Sequence, residues 1–244
     1  MFEYISKVRY ILDLVEKEEK ENISKAADLL VSATKNKKSV YIFGASHAGI
    51  LAQEMYYRAG GLITVNPIFG REISLDNEPI TITSKMERLQ GYGENLAEKV
   101  DFKKNDILIL HSVSGRNPVT VELGLKAKEM GVKIIALTNI TYSKSVTSRD
   151  ESGKLLYQIA DLVIDNHGDI GDGSIEVVEG LKVGPTSTVI GAAILNTIVS
   201  LTAKKLRDDK VNPLPFFYSA NLDGGDEKNR QVVNKYKDNI HYKF

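Results

Sequence analysis

Short apolar runs alternate with helix-like segments along this chain, and that alternation constrains the fold more than any other feature. The runs occupy residues 40–43, 62–65, 107–110, 132–137 and 162–164. Runs of this length that lack a polar alternation are typical of strands buried on both faces of a sheet. Their spacing indicates parallel βαβ units. The predicted fold class is therefore α/β, a three-layer, doubly wound, flavodoxin-like structure around a five-stranded parallel sheet.

The segments between these runs complete the predicted architecture. Helices are predicted at 2–36, 47–59, 85–99, 117–130, 155–160 and 186–206. The last of these is so apolar that it either fills the core or forms a subunit interface. Loops are predicted at 66–84 and 165–185, and a final polar helix is expected to be capped by Asp226. Because no repeat or linker interrupts the pattern, we expect one domain over 1–244, with a core at 38–206, an N-terminal helical segment at 1–36 and a C-terminal tail at 207–244.

Composition excludes several classes of protein. The 32 basic residues equal the 32 acidic ones, so no long-range field would recruit nucleic acid or an anionic bilayer. The chain has no cysteine, which excludes disulfides, thiolate nucleophiles and cysteine-ligated zinc. The N-terminus lacks the blocks of a signal peptide, and the apolar stretch 189–201 is too short to span a bilayer. We therefore expect a soluble, cytoplasmic protein with neither a nucleic-acid nor a membrane partner.

Three polar segments of small residues follow predicted strands or open predicted helices. They are Gly-Ala-Ser-His-Ala-Gly at 44–49, Ser-Val-Ser-Gly-Arg-Asn at 112–117 and Gly-Pro-Thr-Ser-Thr at 184–188. Ligands of open parallel sheets bind at the carboxyl ends of the strands. Free amides, hydroxyls and a helix N-terminus together suit a phosphate, although the hydroxyls could instead serve only as helix caps. Neither a Walker loop nor the Gly-x-Gly-x-x-Gly fingerprint is present, so a nucleotide is not favoured.

The second of these segments carries a family resemblance. Residues 106–138 resemble the central signature of the sugar isomerase (SIS) domain, which is an apolar strand, Ser-x-Ser-Gly, a helix with a late Lys, Gly, and an Ile-rich strand ending in Thr. The similarity extends over 38–206. The sequences Val-Gly-Pro-Thr-Ser-Thr and Asn-Leu-Asp-Gly-Gly-Asp (221–226) look like single-SIS proteins labelled phosphosugar or phosphoheptose isomerases. The run Ser-Gly-Arg-Asn-Pro also resembles the N-acetylmuramic acid 6-phosphate etherases, a lyase branch.

This resemblance implies a sugar phosphate bound at the strand ends, no required metal or organic cofactor, and a homodimer or higher homo-oligomer with sites near the interface. By analogy, the phosphate-binding residues are Ser112, Ser114, Gly115, Asn117, Ser46, Thr186, Ser187 and Thr188. The first loop departs from the family's usual Gly-x-Gly-x-Ser, because Ser46 stands at the second Gly position and Ala48 at the Ser position. This loop therefore either contacts the sugar differently or has lost part of the site.

Isomerisation and β-elimination both begin with removal of a proton beside a carbonyl, so a carboxylate or histidine base is needed. The catalytic candidates are Glu87, Glu54 and His47. Glu87 lies in the region that contributes a catalytic glutamate in the etherases. Glu54 could instead lie on a helix surface, and His47 could be an ordinary exposed loop histidine. Further candidates considered are Glu72, Glu94 and His167.

Three other features have structural interpretations. His111, at the end of a buried strand, is expected to be a satisfied structural histidine, and Arg116 could pair with an anionic substrate or with a carboxylate. Asp165, His167, Asp169 and Asp172 have a spacing that fits no EF-hand, so no metal is predicted.

The resulting hypothesis is a phosphosugar-binding enzyme, an isomerase first and a lyase second. A non-catalytic phosphosugar sensor is a third possibility, although the 36 residues before Lys37 are too short for the usual helix-turn-helix. A domain that binds a protein partner through 186–206 is the remaining alternative.

Overall fold

The computed structural model describes residues 2–243 and has a five-stranded parallel sheet at its centre. The strands are β1 (Val40–Gly44), β2 (Val65–Pro67), β3 (Ile107–His111), β4 (Lys133–Thr138) and β5 (Leu162–Asp165). They are ordered β2-β1-β3-β4-β5, and all neighbouring pairs are parallel. Every residue of the central strand β3 is buried, as its uninterrupted apolar sequence predicts. The predicted α/β fold class is confirmed.

Ten α-helices surround the sheet in the described residues. They are α1 (Glu3–Glu18), α2 (Lys20–Lys35), α3 (Ile50–Met55), α4 (Thr81–Met86), α5 (Tyr92–Glu98), α6 (Pro118–Glu129), α7 (Ile140–Lys144), α8 (Leu156–Ile159), α9 (Ser187–Asp208) and α10 (Gly225–Tyr236). Short 3-10 turns occupy Ser46–Gly49, Arg71–Ile73 and Lys237–Asn239. The predicted domain runs to Met1 and Phe244, which lie outside the described residues.

Alternate residues of each strand face two separate hydrophobic cores. Ile42 and Ile109 belong to a core formed with α1, α2, α3 and α9. Phe43 and Leu108 face the opposite side, where α5, α6 and α8 pack. Helices therefore cover both faces of the sheet, as right-handed crossovers between parallel strands require.

Several predicted helices are interrupted. The segment predicted as one helix over 2–36 divides at Glu19, whose buried carboxylate accepts a hydrogen bond from Asn22. The predicted helix over 85–99 divides before Gly91, which adopts a left-handed conformation with φ of 80°. The helix predicted over 47–59 begins as a 3-10 turn and ends at Met55, since Tyr56 is extended and Tyr57 has positive φ.

The prediction of a loop over 165–185 is wrong, because this region contains a β-hairpin. Strands β6 (Gly173–Val178) and β7 (Leu181–Pro185) pair in an antiparallel manner. The many Gly and Asp residues of the segment concealed the apolar alternation of Ile175 and Val177. At the C-terminus, Gly224 rather than Asp226 is the N-cap of α10.

The long helix α9 belongs to the core of one sheet face. Among the described residues it is the one helix that is long and apolar enough to cross a membrane, with a length of 22 residues. Its residues Ile190, Ile194 and Ile198 are buried against α1, α2 and α3. Packing against three helices accounts for its apolar composition.

Candidate functional site

A cavity of about 250 Å³ opens at the carboxyl ends of β1 and β3, where the sequence predicts a ligand. It contains six of the predicted site residues together with several that the sequence did not indicate. Its walls are formed by Ala45, Ser46, His47, Ala48, Glu87, His111, Ser112, Val113, Ser114, Asn117, Thr120, Tyr142, Gly171 and Asp172.

In the loop over 112–117, the backbone carbonyls point toward the surrounding protein, and most of the backbone amides have no hydrogen-bond partner among the described residues. Four consecutive carbonyls, those of residues 113–116, accept hydrogen bonds from the surrounding protein at 2.9–3.1 Å. The donors are the amides of Asn139, Leu156 and Arg149 and the hydroxyls of Thr138 and Ser143. These bonds fix the orientation of the four peptide units that follow Val113, Ser114, Gly115 and Arg116.

Most backbone amides of this loop are free to bind a ligand. Within residues 2–243, the N–H groups of Val113, Ser114, Arg116 and Asn117 have no acceptor, while Gly115 N donates to Ser112 Oγ at 3.3 Å. Helix α6 begins directly afterwards, so its positive dipole end adds to these donors. A concave set of amides at a helix N-terminus is an anion-binding arrangement.

Glycine is needed within this loop for a steric reason. Gly115 is buried and left-handed, with φ of 62°, and a Cβ on it would lie 3.0 Å from Leu156 Cβ. The residue therefore shapes the loop from behind and does not line the cavity.

The first loop keeps its glycine-like geometry although it has a serine at the second glycine position. Ser46 has φ of 50°, the left-handed region in which glycine is favoured. A Cβ on Gly44 would lie 2.3 Å from Ala48 O, so glycine is required there as well. The departure at Ser46 thus preserves the path of the loop and adds a hydroxyl to it.

That hydroxyl is bonded to Glu87. Ser46 Oγ donates to Glu87 Oε1 at 2.5 Å, and Asn117 Nδ2 donates to Glu87 Oε2 at 2.8 Å. Asn117 Oδ1 in turn accepts a hydrogen bond from Arg149 Nη1 at 2.9 Å. Both loops therefore hold one half-buried carboxylate in a fixed position at the cavity wall.

The other two catalytic candidates are placed differently. His47 lies on the cavity rim with an exposed side chain. Glu54 does not line the cavity; it forms an ion pair with Arg58 and accepts a hydrogen bond from Asn196 at 3.1 Å. The structure brings Glu87 and His47 to the cavity, and it places Glu54 between α3 and α9.

The N-terminus of α9 is already occupied by a carboxylate. Asp172 Oδ1 accepts from the amides of Thr186 (3.2 Å) and Ser187 (2.9 Å), and Asp172 Oδ2 accepts from Ser187 Oγ at 2.6 Å. Thr186 and Ser187 are buried, and Thr188 is half-buried outside the cavity wall. The three hydroxyl residues at 186–188 therefore do not reach the cavity as the resemblance implied; Asp172 reaches it in their place.

His111 is only half satisfied, in contrast to the expectation from sequence. Its Nδ1 lies 3.0 Å from the Ala48 carbonyl, so Nδ1 carries the proton, while Nε2 is buried without a partner among the described residues. Burial lowers the pKa of His111 below its ordinary value, because an imidazolium would be desolvated there. The neutral ring, with a bare nitrogen beside the cavity, is the stable form.

The acidic residues of 165–172 each contact a different part of the protein. Asp165 accepts hydrogen bonds from the amides of Ile140 and His167, Asp169 pairs with Lys7, and His167 pairs with Glu19 at 3.2 Å. No group of three or more potential metal ligands occurs in the part of the chain that the structure describes.

Several cavities elsewhere on the molecule are larger than this one, two of them by a factor of about two. One of about 540 Å³ shares Gly44, Ser46 and Gly49 with the first loop and extends along 69–76. The other, about 490 Å³, lies between Tyr57 and α10 and contains none of the predicted site residues. The first offers room for a ligand that extends beyond the anion-binding loop.

Arg149, Tyr142 and Asp172 are site residues that the sequence analysis missed. Arg149 and Tyr142 lie after β4 in segments without any motif, so no local pattern could have placed them. Asp172 was examined only as a metal ligand, although an acidic residue close before a helix start is a general signal for capping.

A family model described as the SIS domain matches residues 3–139, more than half of the chain. The match includes both cavity loops and ends immediately after β4. Curated relatives match over nearly the whole length. A UPF0309 protein of Shouchella clausii is 48% identical over 241 residues, 98% of each chain, and one of Oceanobacillus iheyensis is 46% identical over 243 residues, 99% of this chain and 98% of the relative. The chain belongs to the SIS domain family and, within it, to the UPF0309 proteins.

Solved structures share the fold at low sequence identity. A phosphoheptose isomerase from Francisella tularensis superimposes with a TM-score of 0.55 at 18% identity, covering 83% of this chain and 95% of that one. The NanR protein of Vibrio vulnificus, in complex with ManNAc-6P, superimposes with a TM-score of 0.53 at 13% identity, covering 95% of this chain and 67% of that one.

Proposed function

We propose that this protein binds a sugar phosphate, with the phosphate held by residues 112–117. The observation that carries the proposal is the orientation of that loop, whose carbonyls are tied outward and whose amides are unpaired. The hydroxyls of Ser112 and Ser114 add donors at the same wall. The fold shared with a phosphoheptose isomerase and with a protein in complex with ManNAc-6P supports the same class of ligand.

The proposed chemistry is aldose–ketose isomerisation with Glu87 as the base. A phosphate fixed in the loop directs the sugar chain past Glu87, whose carboxylate is oriented by Ser46 and Asn117. Glu87 would take the proton from the carbon beside the carbonyl and return it to the neighbouring carbon, so no group is lost. The bare Nε2 of His111 and the rim residue His47 are the other groups available for proton transfer on the hydroxyls.

A lyase is the second candidate, and it would use the same carboxylate. Removal of the same proton could instead be followed by departure of an ether oxygen from the adjacent carbon. The observation that favours this alternative is the pair of cations next to the cavity residue Asn117, namely Arg116 in the preceding position and Arg149 hydrogen-bonded to it, since an acidic ether substituent needs a cationic contact. A phosphosugar sensor would bind the same ligand and release it unchanged.

We also propose a homodimer or higher homo-oligomer. The accessible surface is 12,796 Å², whereas a monomer of 27.0 kDa is expected to expose about 10,800 Å². Exposed apolar side chains cluster where α1 meets the hairpin, including Ile5, Leu181 and Val183. Tyr4 joins these elements by donating to Pro185 O at 2.7 Å. Because sugar phosphates are metabolites of the cell interior, a cytoplasmic location accompanies the proposed function.

A thermal-shift screen of sugar phosphates, with inorganic phosphate alongside, tests the binding proposal. A ligand that binds only the folded protein raises its melting temperature. We expect the best ligand to lose most of its effect in Ser114→Ala, while Ser84→Ala, an exposed serine on α4, serves as the matched control. If no sugar phosphate stabilises the protein, or if the shift survives in Ser114→Ala, the proposal is overturned.

Turnover of the best ligand in deuterated water then separates the three activities. An isomerase exchanges a carbon-bound hydrogen and yields a rearranged sugar phosphate. A lyase yields two products, and a sensor leaves the ligand unchanged.

A further inference from the structure

Three arginines lie directly behind the part of the cavity wall formed by Glu87 and Asn117. Arg116 belongs to the anion-binding loop, Arg88 follows Glu87 directly, and Arg149 donates to Asn117 Oδ1 at 2.9 Å. Burial lowers the pKa of Arg149, and the nearby charges of Arg116 and Arg88 act in the same direction, against the smaller opposing effects of Tyr142 and Glu87. Such a concentration of like charge is costly unless an anion compensates it.

The protein supplies little of that compensation. In residues 2–243, none of these three guanidinium groups forms an ion pair, and Arg116 Nε is buried without any hydrogen-bond partner. The neighbouring acid Asp150 is directed into its own turn, where it accepts from Ser152 N at 3.0 Å. The chain as a whole has equal numbers of basic and acidic residues, so this local excess is not a consequence of a basic composition.

Glu87 compensates only part of this charge, because it favours the charged form of Arg149 without pairing with it directly. Its two oxygens accept hydrogen bonds from Ser46 and Asn117, and the contact with Arg149 passes through the neutral amide of Asn117. The guanidinium groups therefore keep free N–H donors, in the planar arrangement that suits an oxyanion.

We propose that Arg88, Arg116 and Arg149 form a second anion subsite, so that the ligand is a sugar phosphate bearing another acidic group. The inference rests on the proposed function, in which residues 112–117 hold the phosphate. The second group, a carboxylate or a further phosphoryl group, lies on the Glu87 side of that loop. The subsite thereby distinguishes sugar phosphates that residues 112–117 alone would bind with similar affinity.

Two matched pairs of ligands test this proposal by calorimetry. 6-Phosphogluconate differs from sorbitol 6-phosphate in having a carboxylate at carbon 1, and fructose 1,6-bisphosphate differs from fructose 6-phosphate in having a second phosphoryl group. We expect the acidic member of at least one pair to bind the wild type about fivefold or more tightly than its neutral partner, with an advantage that falls as salt is added.

Three variants locate the effect. Arg149→Gln should remove most of the advantage, and Arg88→Gln should remove part of it while leaving the Arg149–Asn117 contact intact. Lys133→Gln, an exposed position at the amino end of β4 and so at the opposite end of the strands from the cavity, should leave the advantage unchanged. A loss confined to Arg149→Gln and equal for both members of a pair would assign Arg149 to positioning Asn117 and would overturn the proposal.

The remaining outcomes separate this inference from the proposed function. If all four ligands bind and each pair binds equally, the second subsite does not exist and the phosphate site stands. If none of the four binds, the proposed function fails, and the inference fails with it.

Discussion

The hydroxyl of Ser46 lies 2.5 Å from Glu87 Oε1, and the residue that presents it has a left-handed backbone with φ of 50°. In this backbone conformation the Ser46 side chain reaches Glu87, the residue that directly follows α4. An unfavourable conformation of a non-glycine residue persists where the surrounding structure compensates it, and such residues concentrate at functional sites.

Replacing Ser46 separates the strain from the hydrogen bond. Ser46→Gly relieves the left-handed strain and removes the hydroxyl, whereas Ser46→Ala removes the hydroxyl alone. We expect Ser46→Gly to unfold at a higher denaturant concentration than Ser46→Ala, by about 1 kcal/mol in the free energy of unfolding. Equal stability of the two variants would show that the conformation at residue 46 carries no cost.

Glu87→Gln should abolish turnover while leaving ligand binding in place. The amide can still accept from Ser46 but cannot take a proton from carbon, so we expect the rate to fall by about 10²–10⁴-fold. Thermal shifts by the same sugar phosphate should remain. Glu94→Gln, an exposed position on α5, is the matched control, and a comparable loss of turnover in this control would remove Glu87 from the role of base.

Asp172→Asn should destabilise the fold through the N-terminus of α9. The amide cannot supply the negative charge that now faces the helix dipole, and we expect a loss of about 1–2 kcal/mol in the free energy of unfolding. Asparagine tolerates the left-handed conformation of residue 172, so the substitution adds no backbone strain to the measured loss of stability. The control Asp226→Asn, in the exposed first turn of α10, should cost only a few tenths of a kcal/mol. An equal loss of stability in the two variants would contradict the role of Asp172 as the cap of α9.

The pair between His167 and Glu19 should give the protein a pH-dependent stability. The hydrogen bond that His167 donates to Glu19 raises the pKa of His167 above 6.5, and the charges of Asp165 and Glu18 act in the same direction. Burial opposes ionisation of Glu19, but its hydrogen bonds with His167 and Asn22 prevail and its pKa lies below 4.5.

A histidine with a raised pKa contributes stability below its unfolded value and loses it as the pH rises through the folded value, whereas a carboxylate with a lowered pKa loses its contribution as the pH falls. The pair should therefore stabilise the fold most between pH 4.5 and pH 6.5. Urea titrations at pH values across this range and above it should show that the free energy of unfolding of the wild type falls as the pH rises above 6.5. The same plot for His167→Gln should be flatter. An unchanged profile in the variant would exclude the pair as its source.

Leu181→Glu should disrupt the proposed homo-oligomer. A charge on the exposed face of β7 would be buried at the interface that we propose, so sedimentation should show a shift to the monomer. Leu222→Glu, at an exposed apolar residue of the C-terminal tail, is the control and should leave the assembly unchanged. A wild type that sediments as a monomer would refute the assembly itself.

The parts of this molecule that follow from short-range pattern could be predicted from sequence. The run Ile107–Leu110 indicates a buried strand because each of its residues is apolar, and Ser112–Asn117 indicates an anion site because amides and hydroxyls follow a strand end. Long-range contacts are different. That Arg149 lies against Asn117, or that Asp172 occupies the start of α9, depends on how separate loops converge in three dimensions. The hairpin was missed because its turn residues dominate the composition of the segment.

The four outward carbonyls of residues 113–116 also bear on how quickly a ligand can be captured. Since neighbouring segments already hold these four peptide units, arrival of an anion requires no refolding of the main chain there. The entropy of ordering the loop is lost during folding and not at each binding event, a form of preorganisation that strengthens affinity without adding a contact. Empty and loaded forms should therefore superimpose over these residues, and any change on binding should be confined to side chains at the rim.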